Sequence, residues 1–128
     1  MAGQVAARGR SLVAEAIVEE GLRLPHHAVL AAVSEYGPVA QADVVRRAGF
    51  DAKDVVLPLN HLEEAGLAVR EPDPRDRRKN AVTVTPAGVR TLERCAELAE
   101  RANAELLAPL SAAEGQHLME LLTRVYEA

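Results

Sequence analysis

Apolar residues recur at three- and four-residue steps through most of this chain, and the interval shortens to two in one stretch just past its middle. Val5, Leu12, Val13, Ala16 and Ile17 form one stripe of a first helix from about Val5 to Glu20, punctuated by Gly21 and Pro25. A second helix is predicted to start just after Pro25, to carry Val29, Leu30 and Val33 on one face and to stop at Gly37-Pro38. Both are expected to bury one side. Gln41 to Ala48 reads as a short third helix, with Val44, Val45 and Ala48 inward, Arg46 and Arg47 nearer solvent, and Gly49 as its stop. Asp51 is placed as the N-cap of a fourth helix, with Asp54 three residues on as an acidic variant of the capping box. Val55, Leu59 and Leu62 form its inner face and Gly66 its end. Two such helices about a tight glycine turn make a helix-turn-helix, with the segment from Asp51 to Ala65 in the recognition position.

The change of interval follows at once. Leu67 to Arg70 and Ala81 to Thr85 alternate and are rich in β-branched residues, while Pro72, Asp73 and Pro74 forbid helix between them, so a β-hairpin is predicted. Thr85-Pro86 is a strong helix start: threonine can cap free amides, and proline at the first position sacrifices no intrahelical bond. The helix should run to about Leu107, with Val89, Leu92, Ala96, Ala99, Ala102 and Leu106 giving more apolar surface than a lone surface helix needs. Ser111-Ala-Ala-Glu114 matches the Ser-x-x-Glu capping box and opens a last helix with Leu118, Leu121, Leu122 and Val125 on one side. The fold class is therefore mainly α with a small β-hairpin, in one domain of 128 residues, too short for two separate cores.

Composition narrows the function. Aromatic residues make up only 2 % of the chain, too few for stacking on unpaired bases. With 15 basic and 19 acidic residues the net charge is -4, so a polyanion can be met only by a local basic cluster. Residues 70 to 79 supply one: Arg70, Arg75, Arg77, Arg78 and Lys79 outweigh Glu71, Asp73 and Asp76 by two charges. The single cysteine, Cys95, cannot form an intrachain disulfide, and the first thirty residues lack a secretion-signal pattern, which together predict a cytoplasmic protein. No apolar run approaches the roughly 20 residues of a membrane span. No Gly-rich phosphate loop, nucleophile-base arrangement or His/carboxylate cluster points to an enzyme or to a bound metal or cofactor.

The order of these elements and the run Asp73 to Gly88, DPRDRRKNAVTVTPAG, resemble the MarR family of winged-helix transcription regulators. The resemblance rests on Asp73-Pro74, Asp76 and Arg78 at the wing tip, on Thr85 and Gly88 at the next helix start, and on Leu62-Glu63-x-x-Gly66-Leu67 before the wing. Gly37-Pro38 and Gln41-Ala42-Asp43-Val44 fall in register with it. It implies a homodimer whose helical regions, residues 1–24 and 86–128, interlock around a winged helix-turn-helix of residues 25–85. That dimer would bind a pseudo-palindromic DNA duplex, with recognition helices in major grooves and wings beside them. Many relatives release DNA when a small aromatic or phenolic compound, or an oxidant, acts between the two regions. With the first helix starting almost at Met1, the N-terminal arm of longer relatives is not expected.

The candidate DNA-binding residues are Lys53, Asn60 and His61 on the fourth helix and Arg75, Arg77, Arg78 and Lys79 in the wing. Asn60 is suited to adenine, His61 to guanine or phosphate, and Lys53 to phosphate. The resemblance singles out Arg78 for the minor groove, and Asp76 is expected to orient a neighbouring arginine. Pro58, which deletes a helical hydrogen bond to Asp54, predicts a bent or distorted helix at a cost of about 3 kcal/mol. Two readings therefore stand: an operator-binding regulator, or a winged-helix dimer that senses a ligand or a protein with little sequence-specific DNA binding. His26, His27 and Arg10 are the candidate effector contacts. Cys95, between Glu93 and Glu97, reads as a packed residue in preference to the oxidant sensor found in some relatives.

Overall fold

The computed structural model describes residues 1–128 and contains six α-helices and a three-stranded antiparallel sheet. Helix α1 (Ala2–Ile17) passes through a 3-10 turn (Val18–Glu20) to α2 (Leu24–Tyr36), whose first turn holds Pro25. Strand β1 (Val39–Ala40), α3 (Gln41–Ala48) and α4 (Lys53–Glu64) follow. The wing strands β2 (Ala68–Asp73) and β3 (Asp76–Val84) then lead to α5 (Pro86–Leu106) and α6 (Ala112–Tyr126). This is the winged helix-turn-helix expected from the pattern. The sheet order is β1-β3-β2, with Val39 opposite Val82 and Ala68 opposite Val84.

The inward stripes converge on one core. Ile17, Leu22, Leu30, Val33, Val44, Val55, Leu59, Leu62, Val82 and Cys95 are all fully buried, so each helix from α1 to α5 and the central strand β3 contribute at least one of them. Gly49 and Gly66, with φ of 72° and 74°, turn the chain after α3 and α4 through the left-handed region that glycine adopts without steric cost.

Several local expectations are corrected. The hairpin is part of a three-stranded sheet: β1 has two residues, too few to show an alternating pattern, yet it pairs with Val82 and Ala81. The wing strands are also longer than predicted and run through Pro72, because β2 is an edge strand, where a missing N–H is tolerated. Asp51 does not cap α4; Ala52 occupies the N-cap already in helical conformation, and the Asp54 N–H donates to the Asp51 backbone carbonyl at 3.0 Å instead. Pro58 does not interrupt α4, which runs from Lys53 to Glu64 with the Pro58 ring buried on the core face beside Leu59 and Leu62. Finally, α1 buries only Ile17 completely, leaving Leu12, Val13 and Ala16 half-buried and Val5 half-exposed.

Thr85 joins the wing to α5. Its N–H donates to the Leu67 carbonyl (3.0 Å), its hydroxyl donates to the Gly66 carbonyl (2.7 Å), and the same oxygen accepts the Gly88 N–H (3.1 Å). Gly88 is required at this junction, since a Cβ there would collide with the Leu67 carbonyl and the Val84 side chain. The Ser111–Glu114 capping box at the start of α6 is present with both of its hydrogen bonds.

Candidate nucleic-acid interface

Burial of Val55, Pro58, Leu59 and Leu62 fixes the rotation of α4. At about 100° per residue, Lys53, Leu57, Asn60 and His61 then share the outward face. All four are exposed, and Leu57, 75 % exposed, stands at the centre of that face.

The two polar groups most suited to reading bases are held within the molecule. The Arg70 guanidinium, on β2, donates to Asn60 Oδ1 at 3.1 Å and lies 2.6 Å from Glu63 Oε1 through its Nε. The Glu63 contact pairs charges without an aligned hydrogen bond, so Asn60 takes the only side-chain hydrogen bond that Arg70 makes. On the other flank the His61 ring stacks on His26 of α2, with centroids 4.2 Å apart and planes 13° from parallel. His26 Nδ1 accepts the Arg23 N–H at 3.1 Å, so the neutral ring carries its proton on Nε2. Burial holds His26 below the usual histidine range, and the neighbouring His61 and Arg23 charges add to this. His27, half-buried, is lowered by burial alone.

The wing tip is built by two aspartates. The buried Asp73 carboxylate accepts the Arg75 N–H at 2.9 Å, and Asp76 Oδ1 accepts both the Arg78 N–H (3.1 Å) and its Nε–H (3.2 Å). Each closes a turn by binding the amide two residues on, which is the structural reason for the Asp-x-x-Asp spacing before Arg78. Those hydrogen bonds from Arg78, the backbone one first, hold the Asp76 carboxyl below the usual carboxylate range. Asp76 thus orients a neighbouring arginine, as its chemistry suggested. Arg75, Arg77, Arg78 and Lys79 are all exposed; Arg77 and Lys79 make no ion pair. Lys79 and Asn80 also border a shallow notch of about 330 Å³ with the first turn of α3. Arg70, counted by sequence with this cluster, is neutralised by Glu63 and leaves the exposed tip to the other four.

His26, His27 and Arg10 do not line any of the four cavities. The groove between α1 and α5, about 300 Å³, is lined by Leu12, Glu15, Ala16, Glu19, Leu98, Arg101, Ala102 and Glu105, and so is predominantly acidic. Cys95 is fully buried, and burial together with Glu20 pushes its thiol up, away from the reactive thiolate. No helix is long and apolar enough to cross a membrane.

Sequence reasoning missed the bridging role of Arg70. The signal was present: Asn60 and Glu63 lie three residues apart on one helix face, and Arg70 follows on the adjoining strand.

The MarR family model matches residues 20–79. A putative transcriptional regulatory protein for the hcr operon of Thauera aromatica is 32 % identical over 124 residues, covering 97 % of this chain and 74 % of its own length. A probable transcriptional regulator from Pseudomonas aeruginosa superposes with a TM-score of 0.76 at 34 % identity, over 95 % of this chain and 91 % of that one. A MarR family protein of Mycobacterium tuberculosis, solved in complex with DNA, gives a TM-score of 0.80 at 25 % identity, over 95 % and 91 % of the two chains. The same protein has been solved with p-aminosalicylic acid. The winged fold, the Asp73-to-Gly88 junction and these likenesses together show that the chain belongs to the MarR family of transcription regulators.

Proposed function

We propose that this regulator acts in the cytoplasm as a homodimer on a pseudo-palindromic DNA duplex, and that a small aromatic or phenolic acid releases it. The observation that carries this reading is the exposed tip of Arg75, Arg77, Arg78 and Lys79, its turns closed by Asp73 and Asp76. On a chain of net charge -4 it concentrates positive charge where a winged helix meets phosphate. Lys53 near the start of α4 adds a phosphate contact, while Asn60 and His61 face the groove. Leu57 between them offers an apolar contact of the kind that thymine methyl groups accept.

Dimerisation is supported by α6. Gly115 is its only buried residue, and Met119, Leu121, Leu122, Val125 and Tyr126 are exposed. A second hollow, of about 510 Å³, lies between Val5 and Arg8 of α1 and the Glu105–Leu110 segment with Leu118. A partner subunit covering these surfaces would remove the apolar area from water, and would supply further walls for an effector pocket near His26, His27 and Arg10. The p-aminosalicylic acid complex of the mycobacterial relative supports an aromatic acid as effector class.

The engagement of Asn60 by Arg70 and of His61 by His26 favours a second reading, a ligand- or protein-sensing dimer with little sequence-specific DNA binding. A mobility-shift titration against the DNA upstream of the protein's own coding region, at two salt concentrations and with and without salicylate, separates them. The regulator reading predicts a specific complex that weakens with salt and dissociates with the aromatic acid. Binding no stronger than to unrelated duplex, even at low salt, supports the second reading.

A further inference from the structure

We infer that Arg70 is a positioning residue that sets which base Asn60 reads. The inference rests on the proposed docking of α4 in the major groove.

Arginine has five N–H donors and no acceptor, so the Asn60 atom it faces at 3.1 Å must be the carbonyl oxygen. The amide orientation is thereby chemically determined, and the NH₂ group is the one turned away from β2. The guanidinium is itself fixed: its Nε lies 2.6 Å from Glu63, one helical turn from Asn60, and its side chain is only 28 % exposed. Arg70 therefore spans from the wing strand to two residues of the recognition helix, with its charge paired to Glu63.

Free asparagine reads adenine by using both amide atoms, oxygen to N6 and nitrogen to N7. With the oxygen turned toward Arg70, Asn60 presents donors to the groove. Its matching partners are guanine, which offers the two acceptors O6 and N7, and thymine, which offers O4; adenine offers N7 alone beside an exocyclic amine that meets a donor, cytosine offers no acceptor there, and both are disfavoured. The keto bases guanine and thymine are therefore the preferred class at the position facing Asn60, and Arg70 imposes that preference without touching DNA.

The test is selection of binding sites from randomised duplexes by the full-length wild type and by Asn60→Ala, Arg70→Met and Arg70→Lys. The wild type should enrich guanine or thymine at one position per half-site, on the order of tenfold over adenine or cytosine. Asn60→Ala should flatten that position alone. Arg70→Met frees the amide and should admit adenine there, while the slope of affinity against salt stays at the wild-type value because the Arg70 charge is already paired with Glu63. Arg70→Lys, whose single ammonium cannot span both partners in the same geometry, should shift the preference in the same direction and serves if Arg70→Met fails to fold. Three outcomes overturn the inference while leaving DNA binding intact. They are adenine or cytosine at the position that Asn60→Ala flattens, no position flattened by Asn60→Ala, or an unchanged base profile in a folded Arg70 variant. Failure of the wild type to enrich any sequence overturns the docking itself, and the inference with it.

Discussion

Arg78 and Arg77 stand side by side in the wing but in different states, Arg78 held through its backbone and guanidinium by Asp76 and Arg77 unpaired. A pre-oriented guanidinium loses less freedom on entering a narrow groove, so Arg78→Ala should weaken DNA binding more than Arg77→Ala, by about tenfold or more. Equal losses, measured by fluorescence anisotropy on one duplex, would show that the Asp76 contact does not matter for binding. The histidines carry a pH dependence of defined sign. The fold depresses the pKa of both His26 and His27, so as pH falls the unfolded chain takes up protons first. Their contribution to stability is complete above the ordinary histidine value of about 6.5 and is lost as pH falls through the lower folded values. Protonating His26 at Nδ1 would also turn an acceptor of the Arg23 amide into a donor. Melting temperature should therefore drop on moving from about pH 8 to about pH 5, and less steeply in His26→Gln. An identical pH profile in that variant would assign the dependence to other groups.

At the level of elements, the junction of wing and α5 depends on the threefold use of Thr85 and the missing side chain of Gly88. Gly88→Ala forces a Cβ against backbone that cannot move freely, and overpacking of this kind costs about 1–3 kcal/mol, to be read as a fall in denaturation midpoint. A neutral substitution would mean that the junction yields easily. This region was legible in sequence because Thr85-Pro86 is a local helix-start signal, whereas Gly88 was picked out only by the family resemblance. Helix α6 was equally legible from Ser111 and Glu114, whose reciprocal cap is local chemistry. Strand β1 was not, since two residues carry no period and pair only because the distant Ala81 and Val82 complete the ladder. The start of α4 also escaped, because Ala52 was already helical and the Asp51 backbone carbonyl took the bond expected of its side chain. Within the site, the candidate residues could be named from composition and motif, but not their partners. The Asn60–Arg70 bridge and the His26–His61 stack are tertiary, joining elements whose relative placement no local pattern states.

For the whole molecule, the proposed assembly rests on the apolar face of α6. Leu122 is 50 % and Val125 74 % exposed, on a helix with no extensive packing against the rest of its own chain. Introducing glutamate at both positions should convert the dimer to a monomer in sedimentation at micromolar concentration; an intact dimer would place the interface elsewhere. Such a monomer should also lose most operator affinity, because two half-sites are then no longer bound together. Whether the wing tips are the electrostatic grip of this dimer on duplex DNA is tested most directly by a salt titration. Affinity for one duplex is measured across a salt series for the wild type and for the Arg77→Ala/Arg78→Ala double variant. Each phosphate left unneutralised lowers the slope of log affinity against log salt by about 0.9, and with two wings per dimer the slope should become shallower by roughly two to four. A double variant that binds with the wild-type slope would contradict that role for the wing.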